Sequence, residues 1–496
     1  MSEYIRALIF ILLLASLGFA FCKKLTYPAI SNIDFKRWRN IWFLVVTSAF
    51  LSSNFWLFIA LASFLILIIT KQEKNRMALF FILVFALPSF EKSIPGFGLV
   101  NNLFSLSYIR FISLVILVPA ALITSKINRF TFFSIWTDKF IIVYIVLITT
   151  LELRGTTTTD ALRSLLYTVL EVFLPYYVAS RSIINLRQMN NVLYAFVISA
   201  IVVSFISSFE SVKLWLLYNN LPSALDANFD LGGYLGRSGG IRAIASLGHP
   251  IVLGCFISVS IGFYLYLNTS IENKNLKRIA AAILVIGLLA PMSRGPWISA
   301  LLLIILFILQ GPMAFKNLSK LLIGGLIVIS LLATTPIGQK IINLLPIVGK
   351  VEKNNIDYRE QLLTNSLIVI ARNPIFGSVS YLKEPEMLGL IQGQGIIDIV
   401  NTYIGITLSV GYAGLVLFIS IFASVVLAIR RSMKLIVDKR NQLHLLGRSL
   451  VAVLLSIMFM ISTTSSIASL PIIYWSILGL GIAYTRIVNL QLVHFK

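Results

Sequence analysis

Six arginines carry the clearest chemical signal in the sequence, because each lies at the end of an apolar run or between two such runs. They are Arg154, Arg163, Arg237, Arg242, Arg294 and Arg359. A guanidinium group stays charged at any working pH and grips two phosphate oxygens at once, which the point charge of lysine does not do. The set predicts a site for a phosphate-bearing substrate. For any single member, a structural role as a snorkelling or salt-bridged side chain is an equal alternative.

Arg294 is the sharpest of these candidates. It lies in Pro291-Met-Ser-Arg-Gly-Pro-Trp297, which interrupts two apolar runs. Irregular backbone at membrane depth is tolerated only against protein or a water-filled cavity. The break therefore predicts a polar site beside Arg294.

The other titratable groups give weaker signals. Outer carboxylates that could act as a general base are Glu152, Asp160, Glu210, Asp357, Glu360 and Asp398, and the sequence does not rank them. Glu171 falls inside an apolar run and is expected to face the bundle interior. His249 precedes Pro250 at a predicted helix start, where a structural role is favoured over that of a base. No His, Asp, Glu or Cys set has metal-ligand spacing, so we expect neither metal nor cofactor.

Composition decides which elements position these residues. The chain has 496 residues, of which 58% are hydrophobic and 12% charged, and its mean hydropathy is +0.91. A soluble core does not absorb that much apolar sequence. Runs of nearly 20 uncharged residues predict an all-α polytopic membrane protein with about 13 to 15 transmembrane helices, of which 41–54 and 279–296 are short or broken.

The net charge of +22 is explained by its distribution along the chain. With the N-terminus outside, eight segments fall on the cytoplasmic side, and they hold 26 of the 41 Lys and Arg but only five of the 19 acids. They are 22–40, 71–76, 125–139, 181–190, 268–278, 311–320, 430–448 and 486–496. This positive-inside pattern excludes a nucleic-acid-binding surface and predicts a cytoplasmic C-terminus.

The sequence contains no repeat or linker that would separate a soluble domain, so we expect one transmembrane domain over residues 1–496. Segments 213–248 and 337–398 are the outer loops long enough to carry function, together with 89–107. Within the larger loop, 352–371 has the apolar spacing of an amphipathic helix. A helix lying at the membrane surface and one packed on top of the bundle fit this spacing equally well.

Four motifs, in this order, resemble the superfamily of O-antigen ligases and O-antigen or exopolysaccharide polymerases, the WaaL/Wzy group. They are the stretch from Arg242 to Gly254, Ser293-Arg-Gly-Pro-Trp297, Tyr358-Arg359 with Asn373-Pro-Ile-Phe-Gly377, and Asn401-Thr-Tyr-Ile404 with Gly411-Tyr-Ala-Gly-Leu415. The resemblance implies a metal-independent membrane glycosyltransferase of the C type, with a GT-C-like fold. It implies a donor sugar on an undecaprenyl diphosphate carrier. Many relatives have His-Asn where this chain has Val400-Asn401, a departure that favours a polymerase over a ligase.

The sequence thus predicts a polymerase that joins lipid-linked repeat units at the outer face of the bacterial cytoplasmic membrane. A ligase that transfers a finished glycan to an acceptor is the alternative within the enzymes, and a lipid-linked saccharide flippase is the alternative from another class. The expected catalytic residues are Arg242, Arg294, Arg359 and Asp398. The expected substrate-binding residues are Arg154, Arg163, Arg237, His249, Asn401 and Tyr403. Expected partners are the undecaprenyl diphosphate-linked oligosaccharide and membrane lipids, with a chain-length regulator as a further candidate.

Overall fold

The chain folds almost wholly into helices, with two short antiparallel hairpins. The computed structural model describes residues 3–96, 98, 102–127, 133, 135–228, 235–237, 239–335, 338–339, 342, 353–391 and 395–493. The expectation of an all-α polytopic membrane protein is confirmed by this architecture and by the apolar character of its long helices.

The helices follow the apolar runs of the sequence. In the first half of the chain they are Glu3–Thr26, Asn32–Leu51, Phe55–Thr70, Arg76–Val84, Tyr108–Ile112, Val118–Ile127, Trp136–Glu152, Thr158–Thr168, Leu174–Ser182, Leu186–Lys213 and Leu221–Ala224. In the second half they are Pro250–Leu267, Lys274–Leu289, Arg294–Leu309, Ala314–Ala333, Lys353–Arg372, Pro385–Leu388, Thr402–Lys434, Gln442–Ile461 and Leu470–Val493. Two π-helical turns, Ser113–Leu117 and Val169–Phe173, each join two of these helices.

Eight of the described helices are long and apolar enough to cross a bilayer. They are Glu3–Thr26, Tyr108–Lys126, Leu186–Lys213, Pro250–Ser270, Ala314–Leu331, Thr402–Lys434, Gln442–Ile461 and Leu470–Gln491. Phe55–Thr70 and Arg294–Leu309 are shorter apolar helices of 16 residues each, about 24 Å long at 1.5 Å per residue. The count of 13 to 15 crossings includes such shorter segments and stays a prediction.

The chain divides into two compact units. The first unit comprises Met1–Arg129, Leu166–Ser293 and Ile467–Lys496, and the second comprises Phe130–Leu165 and Arg294–Ser466. That one membrane domain runs through the whole chain stays a prediction.

The first unit is built around the 28-residue helix Leu186–Lys213. Its packing partners are the helices Glu3–Thr26, Arg76–Val84, Pro250–Leu267 and Lys274–Leu289. Aromatic rings fill the centre, where the Phe196 ring lies 5.4 Å from that of Phe85 and 4.8 Å from that of Phe256. This helix is apolar on every side because every side of it is covered by protein.

The second unit contains the 33-residue helix Thr402–Lys434, against which helix Trp136–Glu152 packs. Helix Arg294–Leu309 packs against Gln442–Ile461. Small polar side chains let these two helices approach, since the hydroxyl oxygens of Ser299 and Ser456 lie 2.7 Å apart and each hydroxyl also donates to the other residue's carbonyl at 3.0 Å. Such small residues are typical of helix interfaces in membranes.

The amphipathic helix expected over 352–371 is present as Lys353–Arg372, and Pro374 follows its end. Its buried face, which includes Leu362 and Val369, joins an apolar cluster with Leu408. Its other apolar face stays exposed, with Ile356, Leu363 and Leu367 at 49%, 47% and 52% of full exposure. The helix therefore packs on its own unit with one face and leaves a second apolar face uncovered.

The structure also shows what becomes of the two apolar runs that the sequence predicts to be short or broken, 41–54 and 279–296. Residues 41–51 are not a separate half-helix, because they continue the helix Asn32–Leu51. Residues 279–296 are broken, as expected, since helix Lys274–Leu289 ends before a turn and Arg294 begins the next helix.

Candidate active site

In the first unit, two of the predicted arginines converge on the turn between Leu289 and Arg294. Arg242 donates from Nε to the Pro291 carbonyl at 3.1 Å and from Nη2 to the Ser293 hydroxyl at 2.7 Å. Arg237 donates from Nη1 to the Met292 carbonyl at 2.9 Å. Two guanidinium groups thus fix the turn whose next residue is Arg294.

The turn itself has an uncommon backbone conformation. Met292 has a φ of 47°, which lies in the left-handed region, and residues held in this region mark sites where the surroundings determine the backbone. A Cβ at Gly240 would lie 2.8 Å from the Met292 Cε. Glycine at position 240 therefore lets the short hairpin of Gly236–Arg237 and Gly240–Ile241 lie against the turn.

Glu210 holds the segment that follows Arg242. Its Oε2 accepts hydrogen bonds from the backbone N–H groups of Ile244 and Ala245 at 3.1 and 2.8 Å, and its Oε1 accepts one from Leu217 at 3.0 Å. The residue is fully buried. Glu210 therefore anchors the backbone of the segment after Arg242. No described contact of Glu210 supports its prediction as a general base.

His249 caps the helix Pro250–Leu267, and its Nδ1 accepts a hydrogen bond from the Ile251 N–H at 3.2 Å. Burial and the nearby charge of Arg242 lower the pKa of His249 to about 4. The imidazole is therefore neutral near pH 7 and a weak base. These contacts agree with the structural role that a histidine before Pro250 suggests.

Glu171 is paired rather than free. Arg110 donates from Nε to Glu171 at 2.7 Å and from Nη1 to Glu91 at 3.3 Å. The Arg110 guanidinium also lies 3.6 Å from the centre of the Tyr167 ring. Glu171, which we expected to face the bundle interior, lies in an ion-pair network beside the hairpin of Glu91–Pro95 and Asn102–Ser107.

In the second unit, Thr463 connects two predicted arginine positions. Arg359 donates from Nη2 to the Thr463 carbonyl at 3.3 Å, and a Cβ at Gly295 would lie 3.1 Å from the Thr463 hydroxyl. Gly295 follows Arg294 at the start of the helix Arg294–Leu309. Partial burial lowers the pKa of Arg359, while the charge of Asp398 acts in the opposite direction. The start of this helix, Arg359 and Asp398 therefore lie close together.

Asp398 is fixed at both its backbone and its side chain. The Tyr358 hydroxyl donates to the Asp398 carbonyl at 2.9 Å and accepts from the Asp398 N–H at 3.1 Å. The Ser465 hydroxyl donates to Oδ1 of Asp398 at 2.8 Å. The carboxylate next to Arg359 is thus held by a tyrosine and a serine.

Asn401 and Tyr403 hold the start of the helix Thr402–Lys434. The Asn401 side chain caps it by accepting from the N–H groups of Tyr403 and Ile404 at 2.9 and 3.2 Å. The Tyr403 hydroxyl donates to the Met458 carbonyl at 2.8 Å. Both residues therefore stabilise the start of this helix. Their role in substrate binding stays a prediction.

The segment Thr463-Thr-Ser-Ser466 emerges as the common partner of this site. Besides the contacts of Thr463 and Ser465, the Thr464 carbonyl accepts from the N–H and the hydroxyl of Thr402 at 3.0 and 2.8 Å. The sequence reasoning did not single out this segment. Its signal was five hydroxyl residues in succession, 462–466, after the apolar run 449–461.

Arg154 contacts another of the motifs. Its Nη2 donates to the Phe376 carbonyl at 2.9 Å. Gly377 has a φ of +60°, and a Cβ there would lie 2.6 Å from the Leu408 carbonyl, while a Cβ at Gly411, where φ is +72°, would lie 2.2 Å from the Ile375 carbonyl. The two glycines therefore let the loop after Pro374 lie directly on the break in the helix Thr402–Lys434.

Arg163 forms an ion pair with Asp160 one turn earlier in its helix. Its role in substrate binding stays a prediction. Residues 229–234, 238, 343–352 and 392–394, which belong to the glycine-rich stretch and the larger outer loop, lie outside the described residues. Among the residues that are described, no group of three or more His, Cys, Asp or Glu is placed to hold a metal ion.

The fold is that of a multi-pass membrane protein. Arg237 and Arg242 hold a turn in the first unit, and Arg359 lies near Asp398 in the second. Residues 279–419 match the Wzy_C family model, described as O-antigen ligase. This match is consistent with the resemblance to the O-antigen ligase and polymerase superfamily that the four sequence motifs carry. The match contains Arg294, Arg359, Asp398 and Asn401, but Arg242 and His249 precede it. No curated protein matches the chain. The match supports an enzyme of ligase or polymerase type and gives no support to the flippase alternative.

Proposed function

We propose that the protein is a polysaccharide polymerase that joins lipid-linked oligosaccharide repeat units at the outer face of the bacterial cytoplasmic membrane. The donor is a saccharide on undecaprenyl diphosphate, and the acceptor is a second lipid-linked saccharide. The observation that carries this proposal is the match of residues 279–419 to the O-antigen ligase family, because the matched stretch contains Arg294, Arg359 and Asp398. A chain-length regulator is the proposed protein partner.

In the proposed reaction, a hydroxyl oxygen of the acceptor sugar attacks the anomeric carbon of the donor. A new glycosidic bond forms, the bond between the anomeric carbon and the diphosphate oxygen breaks, and the lipid diphosphate leaves with the electron pair. Negative charge develops on the diphosphate in the transition state. Preorganised guanidinium donors stabilise such charge most where water is excluded.

Arg242, Arg294 and Arg359 are the proposed donors to the diphosphate. Arg359 supports the assignment because its contact with the Thr463 carbonyl fixes one nitrogen of the guanidinium. Arg242 is fixed in the same way by the Pro291 carbonyl and the Ser293 hydroxyl. A donor held in advance needs little reorganisation when the charge develops.

Asp398 is the proposed general base that takes the proton of the attacking hydroxyl. Its Oδ1 accepts from Ser465, and Tyr358 fixes its backbone. A base must be held within hydrogen-bond reach of the proton that it removes. These contacts hold the carboxylate in one place beside Arg359.

Ligase activity is the second candidate, and the description of the matched family favours it. Val400 favours the polymerase, because many ligases of this superfamily carry a histidine at that position. The two activities use the same donor and differ in the acceptor. They are therefore distinguished by the saccharides that accumulate.

The deciding experiment is mass analysis of lipid-linked saccharides in a strain deleted for the gene. A polymerase predicts that single repeat units accumulate on the carrier at the outer face. Long carrier-bound chains that fail to reach an acceptor would instead establish the ligase. Normal lipid-linked saccharides and normal polymer in the deletion strain would refute both.

A further inference from the structure

A cavity of about 1260 Å³ lies between the helices Glu3–Thr26 and Asn32–Leu51 of the first unit. It shares no residue with the candidate site. Typical sites for small molecules have volumes of roughly 300 to 1,000 Å³. The cavity is therefore large enough for an extended molecule rather than a compact metabolite.

Three cations line this cavity. They are Lys23, Lys24 and Arg39, and among the described residues no carboxylate forms an ion pair with any of the three. The Arg39 guanidinium contacts only the neutral Asn40 side chain, at 2.9 and 3.1 Å. Asp34 and Glu73 are both paired with Arg37, which does not line the cavity.

The rest of the lining is largely apolar. Phe19, Phe35 and Phe43 contribute aromatic surface, and the cavity extends along the first helix as far as Ser16. From Lys23 to Ser16 the rise along a helix is about 11 Å. The lining thus combines three cations with an aromatic surface that extends along the first helix.

A ligand that matches the cations and the apolar surface of this cavity has an anionic head and a hydrocarbon body. The segment 22–40 is one of the lysine- and arginine-rich segments that the sequence predicts to be cytoplasmic, and the anionic lipids of that leaflet attract clustered cations. We propose that this cavity binds an anionic glycerophospholipid, with the phosphate at Lys23, Lys24 and Arg39 and the acyl chains against the aromatic lining. The site is separate from the one proposed for glycosyl transfer.

The test is native mass spectrometry of the full-length chain in detergent, incubated with phosphatidylglycerol or phosphatidylcholine. The wild type should bind one phosphatidylglycerol in preference to phosphatidylcholine. The triple variant Lys23→Gln, Lys24→Gln and Arg39→Gln should bind phosphatidylglycerol on the order of a hundredfold more weakly, since each cation near an anionic lipid contributes about a factor of five in affinity. The charge-conserving variant Lys23→Arg, Lys24→Arg and Arg39→Lys should retain it.

The matched control is Lys71→Gln, Lys74→Gln and Lys274→Gln, three exposed cations of the same unit that do not line the cavity. This control removes the same charge and should bind phosphatidylglycerol like the wild type. Ala20→Trp keeps all charges but fills the cavity, and it should lose the lipid.

Three results would overturn the proposal. Equal weakening in both glutamine triples would mean that the attraction is diffuse. Undiminished binding by Ala20→Trp would place the lipid elsewhere. Inorganic phosphate that competes mole for mole as well as phosphatidylglycerol would show that the acyl chains contribute nothing and that the site takes phosphate, not a lipid. Because the measurement involves no glycosyl transfer, its outcome is independent of the proposed function.

Discussion

Arg359 donates a hydrogen bond to the carbonyl oxygen of Thr463, 104 positions further along the chain, at 3.3 Å. The contact joins the amphipathic helix Lys353–Arg372 to the polar segment that follows helix Gln442–Ile461. It leaves the guanidinium beside Asp398, whose charge opposes the effect of burial on the pKa of Arg359. The position of this arginine is therefore set by neutral backbone on one side and by a carboxylate on the other.

Replacing Arg359, Arg294 or Arg242 by lysine should lower turnover by about a hundredfold while the protein stays folded and inserted. Lysine keeps the charge but loses the planar grip on two phosphate oxygens, and loss of one preorganised donor to a developing anion costs about that factor. The measurement is polymer length in cells deleted for the gene, alongside the amount of protein in the membrane.

Arg372→Lys is the matched control. Arg372 is exposed and pairs with Glu384 and Glu386 in the same unit, outside the proposed site. It should support full-length polymer. If all three site variants also restore full-length polymer at normal protein level, the arginines are structural and the phosphate assignment is wrong.

Asp398→Asn should abolish most activity, because an amide cannot take a proton from the acceptor hydroxyl. Ser465→Ala should reduce turnover by about tenfold, since it removes one hydrogen bond to a charged group. Both effects are measured as rates with purified lipid-linked repeat units across a range of pH.

Ser462→Ala serves as the control for Ser465→Ala. The Ser462 hydroxyl donates within its own helix end, to the Phe459 carbonyl at 2.6 Å, and should be dispensable. Turnover by Asp398→Asn at the wild-type rate would exclude Asp398 as the base.

The sequence predicts the helices well because each apolar run must satisfy its own backbone in lipid. The break at Pro291 was equally visible, since proline and glycine on both sides of Arg294 interrupt the run. Lys353–Arg372 followed from its apolar spacing. Hydropathy and local spacing are thus sufficient for elements that form from neighbouring residues.

The contacts of the site were not predictable in the same way. Ser465 and Asp398 are 67 residues apart, and nothing in local pattern pairs a serine after one helix with an aspartate before another. Glu210 was grouped with the candidate bases because carboxylate chemistry is visible in sequence, whereas its three backbone partners are visible only in the fold. The residue types of the site can be read from the sequence, but only tertiary packing determines which of these residues contact one another.

Single cysteines at Ser223 and Ser380 should react with a membrane-impermeant thiol reagent in intact spheroplasts, because both lie in segments predicted to be outside. Both side chains are exposed. A cysteine at Ser125, in a segment predicted to be cytoplasmic, should react only after lysis. The native Cys22 and Cys255 are buried and should add little background. Protection of the first two positions until lysis would invert the topology.

Acid should destabilise the wild type more than His249→Asn. The pKa of His249 is lowered to about 4 in the folded protein, while an unfolded histidine titrates near 6.5. The unfolded state therefore binds more protons between these values, and stability falls as pH drops from about 6.5 to 4, by at most ~1.4 kcal/mol per pH unit. Asparagine caps helices well and does not titrate. The measurement is the melting temperature of both proteins between pH 7 and pH 5. An equal fall in the two proteins would contradict the titration of His249 as the cause.

Glu210→Gln should lower both the melting temperature, by a few degrees, and the turnover, although residue 210 lies outside the proposed reacting groups. The carboxylate accepts three backbone hydrogen bonds, from Leu217, Ile244 and Ala245, and a glutamine presents one N–H group where an acceptor is needed. The loss amounts to about 1.5 to 3 kcal/mol, as for a hydrogen bond to a charged group. Because Ile244 follows Arg242 by two residues, loosening this segment should also misplace the Arg242 guanidinium.

Glu272→Gln, at an exposed position of the same unit, is the control and should change neither the melting temperature nor the turnover. A Glu210→Gln protein that melts like the wild type would show that this anchor contributes little. One that is destabilised but fully active at low temperature would separate the fold of the loop from catalysis and remove Arg242 from the proposed diphosphate site.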